Sequence, residues 1–226
     1  PKLKSKKRNK NSYSTVCINS NITVGNGYLK LPKIGQVRLK QHRSIPKEYK
    51  LKSVTVSQTP SGNYYASILF EYENQVQEKK LQSFLGLDFS MHELYRDSNG
   101  NEPAYPGYYR KAEKKLAKEQ RKLSRMQKGS KNRDKQRIRV AKLHEKVSNQ
   151  RKDFLHKQSR QITNACDCVC IEDLDMKAMS QSLNFGKSVM DNGWGMFTAF
   201  LKYKLEEQGK RLVKVDRFLQ AVRFVI

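Results

Sequence analysis

No pair of cysteines in this chain stands at the spacing of a zinc ribbon. The four cysteines are Cys17, Cys166, Cys168 and Cys170, and no Cys-x-x-Cys occurs. Paired short spacings are the usual mark of structural zinc, so no zinc is expected. Cys166, Cys168 and Cys170 alternate. On one strand that spacing sets them on one face, about 6.8 Å apart with parallel side chains. Such a row suits small buried hydrophobes better than a tetrahedral cage or a disulfide framework. No signal peptide is evident, and free thiols fit a reducing, cytoplasmic compartment. No apolar run is long enough to cross a membrane. A basic amphipathic anchor is missing too, which leaves an anionic membrane surface as a poorly supported partner.

Acids are also scarce. The 226 residues hold 21 Asp and Glu against 46 Lys and Arg, a net charge of +25. Self-repulsion of that size calls for a polyanion, and nucleic acid is the first candidate. The apolar fraction of 37% is low but sufficient for a core at this length. The chain opens at Pro1 without an initiator Met and stops in Phe224-Val225-Ile226. Both ends read as cut, so a piece of a longer protein is expected.

Where acids are few, their placement is informative. Phe84-Leu85-Gly86-Leu87-Asp88-Phe89-Ser90 reads as a short strand, apolar on both faces, that carries one acid at its end. Cys168-Val169-Cys170-Ile171-Glu172-Asp173-Leu174 has the same form. The two are expected side by side, with Asp88 and Glu172 on one face because residues two apart share a face. A carboxylate in such a place needs a partner. A divalent metal, acid–base work on sugars and an ion pair with nearby Lys or Arg all supply one. In a polycationic chain, Mg²⁺ with a phosphodiester is the consistent choice, since Mg²⁺ prefers carboxylates, water and phosphate oxygens. Asp88 and Glu172 are therefore the candidate catalytic and metal-binding residues.

Around these strands the chain has a clear order. Residues 1 to 12 form a basic arm. Residues 13 to about 75 are short strands punctuated by Asn21, Gly25-Asn26-Gly27, Pro32 and the turn Pro60-Ser61-Gly62-Asn63, which suggests a small barrel or sandwich. Residues 74 to 83 look like a polar linker, and Tyr95 to Gly107 like turn and loop. Residues 108 to 165 predict two helices broken at Gln127-Lys128-Gly129-Ser130-Lys131-Asn132, an antiparallel hairpin inserted between the acidic strands. Residues 108 to 160 hold 20 Lys and Arg against 5 Asp and Glu. Intrahelical pairs need matched signs, so this excess is better explained by phosphates. Lys128, Lys131, Arg133, Arg137, Arg151 and Lys152 are the candidate nucleic-acid contacts. A loop follows over Met179 to Lys187, Asp191 is placed to cap a helix over Trp194 to Gln208, Trp194 is a core anchor, Gly209 ends that helix, and a last strand runs through Leu212 to Phe218. The overall class is α+β: a β-rich domain at 1–80, then at 81–226 a sheet of RNase H-like order carrying the helical hairpin.

Several stretches together resemble one family. They are Gly86-Leu87-Asp88-Phe89, Lys128-Gly129-Ser130-Lys131-Asn132-Arg133, Leu143-His144-Glu145-Lys146-Val147, Asn149 to Lys157 (Asn-Gln-Arg-Lys-Asp-Phe-Leu-His-Lys), Ile171-Glu172-Asp173-Leu174 and Lys214-Val215-Asp216-Arg217-Phe218. They look like the TnpB (OrfB) proteins, transposon-encoded RNA-guided DNA endonucleases related to compact type V CRISPR nucleases. The resemblance implies a partial wedge-like barrel at 1–80 that holds guide RNA and a partial RuvC nuclease domain at 81–226. It implies DNA and guide RNA as partners, a divalent cofactor such as Mg²⁺, and a cytoplasmic, nucleoid-associated setting. Asp88 and Glu172 match the first two catalytic acids. The family continues past Asp-Arg-Phe into a zinc ribbon and a third acid, whereas Leu219 to Ile226 reads differently and Asp216 precedes that point. The expectation is a truncated copy with weak or no cleavage. The alternatives are a catalytically dead DNA- or RNA-binding module and a basic structural RNA-binding protein.

Overall fold

The computed structural model describes residues 11–90, 92–176, 178–179 and 193–216. Residues 1–10, most of the loop after Met179, Asp191 as a cap, and Arg217 onward lie outside them. The chain divides into two compact units, residues 1–75 and 76–226.

The first unit has six strands: β1 (Ser12–Val16), β2 (Thr23–Gly25), β3 (Tyr28–Leu31), β4 (Gly35–Arg38), β5 (Lys50–Gln58) and β6 (Tyr64–Glu71). They form two antiparallel three-stranded sheets, ordered β1-β5-β6 and β2-β3-β4. The turns explain the connections. Asn26 and Gly27 both take positive φ, as the two-residue hairpin between β2 and β3 requires. Between β5 and β6, the Thr59 amide donates to Asn63 O at 2.8 Å and Gly62 N donates back to Thr59 O at 2.9 Å. Ile22, Leu29, Leu31 and Val54 are buried, with Val56, Ala66 and Ile68 packed against them. Leu29 and Leu31 of β3 and Val54 of β5 thus face inward, whereas Val37 of β4 is exposed, as are Lys30, Lys33, Arg38, Lys40, Arg43, Lys47 and Lys50.

The second unit centres on a four-stranded sheet: β7 (Phe84–Phe89), β8 (Tyr95–Asp97), β9 (Cys168–Glu172) and β10 (Arg211–Val215). The order is β10-β9-β7-β8. β7, β9 and β10 are parallel, and β8 runs antiparallel to β7. β8 corrects the expectation of a loop after Tyr95. It has three residues, too few for alternation to show, and the Asp97–Asn101 turn closes it: Asp97 Oδ1 accepts from Asn99 N at 3.0 Å and Asn101 N at 2.8 Å. β7 also differs from the two-sided apolar strand expected. Leu85 and Leu87 are buried, but Phe84 on the other face is 63% exposed. Among the described residues, one face of the sheet is open.

The helices are α1 (Tyr108–Arg125), α2 (Lys131–Ala165) and α3 (Trp194–Glu206). Gly129 at positive φ and Ser130, whose Oγ accepts from Arg133 N at 3.2 Å, end one helix and start the next. Gln136 Nε2 donates to Glu119 O at 3.1 Å, Gln120 meets His144 at 3.1 Å, and the Tyr108 and Phe154 rings are 6.3 Å apart. Partners climb α2 as they descend α1, so the hairpin is antiparallel. Leu155 and Ile162 of α2 and Trp194, Phe197, Leu201 and Leu205 of α3 pack on Leu85, Leu87, Val169 and Ile171. Trp194 is a core anchor as expected, at 3% exposure. Its helix starts at Gly193, in the left-handed conformation. Cys166 is not on the strand with Cys168 and Cys170. It ends α2, its amide donating to Ile162 O at 3.1 Å.

Residues 76–83 are no loose linker. Their polarity is spent on Asp167, buried just before β9. Lys79 Nζ reaches Asp167 Oδ1 at 2.8 Å, and Oδ2 accepts from Gln82 N, Ser83 N and Ser83 Oγ at 3.3, 3.3 and 3.0 Å. Lys79 first, then Gln82 and Ser83, hold this carboxyl well below the usual carboxylate range against the opposing effect of burial. Gly209 closes the same region. It sits at φ 67°, and a Cβ there would lie 2.0 Å from Gln77 O.

A carboxyl depressed in the folded state stabilises the fold above its unfolded pKa, about 3.9, and loses that contribution as pH falls toward the folded value. Asp167→Asn should therefore lower the melting temperature at pH 7 by several degrees. The gap to the unmutated chain should narrow below about pH 4. Thermal melts across pH 2.5–7 would check this, and a pH-independent gap would count against it.

Candidate active site and nucleic-acid interface

The register carries Asp88 and Glu172 to one place. Phe84 pairs with Cys168, Gly86 with Cys170, and Leu87 with Ile171 as the last rung. Asp88 and Glu172 are the next residues on adjacent parallel strands, and share a face with Gly86 and Cys170. Both line a groove of about 540 Å³ with Gly86, Arg96, Ser98, Cys170 and Asp216. Asp88 is exposed and Glu172 half-buried. The residues beneath are small, which keeps the groove open above Gly86.

Neighbours fix the strand ends. Asp173 donates its amide to Val215 O at 2.9 Å and takes Lys214 Nζ on Oδ1 at 2.6 Å. This ties the end of β9, and Glu172 with it, to β10. Across β7, Asp88 is the antiparallel partner of Arg96. Asp97, also on the groove wall, is pushed up by burial, but the Asn101 side chain and the Asn101 and Asn99 amides hold its carboxyl below the usual range. Under the sheet, burial is the main force that pushes the Tyr95 hydroxyl up to about 12, and the ring stacks on Phe197 at 5.6 Å.

Arg96, Asp97 and Asp216 were missed as groove residues in the sequence reading. The signal for the first two is the Asp97-Ser98-Asn99-Gly100 turn, which marks where a short strand can end. Asp216, which in the sequence precedes the position of the family's third acid, follows β10 directly onto the groove wall. Among the described residues, no three His, Cys, Asp or Glu side chains converge as a metal-binding group. The donor set in hand is two carboxylates from adjacent strands, in an open groove with room for water and a phosphate. Such a set fits a hard, oxygen-seeking cation in part, leaving other positions to water or substrate.

The six basic candidates lie apart from the acids, on the hairpin. Lys128 is in the inter-helix turn, Lys131 opens α2, and Arg137 and Lys152 lie further along it, all exposed. Arg133 and Arg151 are half-buried on the same helix. Few acids offset this charge: Arg137 meets Asp134 at 3.8 Å and Lys157 meets Asp153 at 2.7 Å.

Residues 67–183 match OrfB_IS605, described as a probable transposase. That stretch is 117 of the 226 residues and contains both acids and the whole hairpin. The chain belongs to the OrfB_IS605 family. Two curated proteins are similar along nearly all of it. The "Putative RNA-guided DNA endonuclease" of Streptomyces pristinaespiralis is 31% identical over 219 residues, 96% of this chain and 54% of that protein. The "Putative RNA-guided DNA endonuclease InsQ" of Escherichia coli (strain K12) is 32% identical over 205 residues, 84% of this chain and 50% of that protein. The chain thus spans about half the length of the curated relatives it matches. Among solved structures, a Cas12f1–sgRNA–target DNA complex is similar in fold, with a TM-score of 0.50 and 15% identity over 74% of this chain and 36% of that one. No described helix is long and apolar enough to cross a membrane.

The hairpin's charge predicts steep salt dependence. Release of counterions from on the order of six to ten phosphates lowers affinity ~10³-fold or more between 50 and 200 mM salt. Changing Lys128, Lys131 and Arg137 together to Glu should flatten the slope of log affinity against log salt. Polarisation titrations with a DNA duplex read it directly, and a flat response from the unmutated chain would exclude phosphate contact as the hairpin's role.

Proposed function

We propose that this chain carries the nuclease centre and part of the guide-binding platform of a transposon-associated RNA-guided DNA endonuclease. The carrying observation is the parallel register of β7 and β9, which sets Asp88 and Glu172 side by side at the open end of a sheet. The order β10-β9-β7-β8 supports an RNase H-like (RuvC) reading of residues 81–226. The two small sheets of the first unit support a wedge-like barrel for residues 1–80, with guide RNA on its basic surface. Family membership and the names of the relatives favour DNA and guide RNA as partners.

The chemistry is phosphodiester hydrolysis. Water attacks phosphorus in line and the opposite oxygen departs with the cleaved strand. Asp88 and Glu172 would hold a divalent ion such as Mg²⁺, which would supply water activation and neutralise charge on the phosphate. The remaining work falls to the protein. Asp88 and Glu172 offer their oxygens from fixed strand ends, since each follows a run of ladder pairs. Asp173 and Lys214 hold the Glu172 end in place. The hairpin, with +15 over residues 108 to 160, neutralises the backbone that must lie near four acids.

Mn²⁺ titration followed by electron paramagnetic resonance tests the site without needing turnover. The unmutated chain should bind Mn²⁺, and Asp88→Ala or Glu172→Gln should each weaken it about tenfold or more, since each removes one anionic ligand. Mn²⁺ binding that both variants retain would sink the two-acid site. DNA binding without Mn²⁺ binding would leave the chain a nucleic-acid-binding module.

A further inference from the structure

Among the described residues, four carboxylates line the groove: Asp88, Asp97, Glu172 and Asp216. Among the described residues, one cationic side chain, Arg96, lines it with them. A phosphate entering such a groove meets like charge on most sides. An ion between Asp88 and Glu172 answers only part of that. We infer that Arg96 is a phosphate-positioning residue, whose guanidinium takes a non-bridging oxygen of the nucleic-acid backbone beside the two acids. This rests on the two-acid reading above.

The geometry favours this role over a plain ion pair. Arg96 is the cross-strand partner of Asp88, so both side chains leave the sheet on the same face at the same level. Its ion-pair partner among the described residues is Glu102, through Nε at 2.8 Å. Glu102 does not line the groove. The closest approach of that carboxylate is at Nε, not at the two terminal nitrogens of the fork. That end is the one suited to phosphate oxygens. The side chain is 60% exposed, so it is reachable by a strand lying along the groove.

The test uses the full chain and a fluorescein-labelled single-stranded DNA dodecamer, followed by polarisation with Ca²⁺ or with chelator. Ca²⁺ binds carboxylates without supporting turnover in most such sites. Binding by the unmutated chain should tighten with Ca²⁺, and Asp88→Ala should abolish the gain. Arg96→Ala should reduce the Ca²⁺-dependent affinity about tenfold, the scale of a charge-assisted hydrogen bond. Arg96→Lys should restore only part, because an ammonium lacks the fork. Mn²⁺ affinity without DNA should hold in Arg96→Ala, which a general distortion of the groove would not allow. Arg96→Ala keeping a Ca²⁺ gain that Asp88→Ala loses would overturn the role of Arg96 and leave the two-acid site standing. Equal loss by Arg96→Ala with and without Ca²⁺ would also overturn it, reducing Arg96 to surface charge. No Ca²⁺ gain in the unmutated chain would remove the two-acid site, and this inference with it.

Discussion

Asp167 decides where three strands begin. Its side chain gathers Lys79, Gln82 and Ser83, so the segment before β7 ends beside the segment before β9. Ser83 O accepts from both Asp167 N at 3.0 Å and Cys168 N at 2.9 Å, and Asp167 O accepts from Arg211 N at 3.1 Å. One buried acid therefore sets the starting register of β7, β9 and β10 together. The consequence appears at the other end of the sheet. Asp88 lies five residues beyond Ser83 and Glu172 five beyond Asp167. Equal rise along parallel strands brings both to the same level. A slip of one residue in either strand would turn one acid to the opposite face, where Leu87 and Ile171 are buried.

The base of the hairpin is tied to α3. Lys204 of α3 is 2% exposed, and its Nζ donates to His156 O at 2.8 Å and Ser159 Oγ at 2.7 Å on α2. Burial, then the Arg160 charge, draws its ammonium down to about 8, with Glu207 opposing. The His156 ring stacks on Phe200 at 3.8 Å. An ammonium so placed ties two helices through acceptors that carry no charge of their own. Toward the turn at Gly129 the picture reverses. There the two helices meet through Gln136 and Glu119, and their outer faces are Lys and Arg. Packing is concentrated where the helix meets the sheet, and charge where it faces solvent.

Much of this was legible in the chain itself, for physical reasons. Two strands ending in an acid, a Gly-Ser break between two long polar helices, and Pro60-Ser61-Gly62-Asn63 between alternating runs are local patterns that the backbone must obey. What could not be read was non-local. Residues 76–83 look like a linker because their polar groups have no visible partner until Asp167, more than eighty positions away, is folded against them. β8 is too short for periodicity, and only its pairing with β7 makes it a strand. That pairing turns Arg96 from one more basic residue in a basic chain into the neighbour of Asp88. Cys166 looked like part of a cysteine-bearing strand because alternation continues through it. The helix end at Ala165 interrupts the pattern at a place that spacing alone does not mark.

Positive charge and the paired carboxylates are carried by different parts of this unit. The hairpin bears most of the excess charge, and its attraction to phosphate is long-range and indifferent to sequence. The acids sit at strand ends on a sheet whose open face is floored by Gly86 and Cys170. Side-chain bulk at that level would fill the space that a phosphate and an ion need. Under the proposed function, such an acidic groove would by itself repel a phosphate and would depend on cations supplied from elsewhere: the hairpin for approach, a divalent ion at Asp88 and Glu172, and Arg96 at the rim. Separating them would let the hairpin hold a nucleic-acid backbone without disturbing the spacing of two carboxylates that the Asp167 clasp has already fixed.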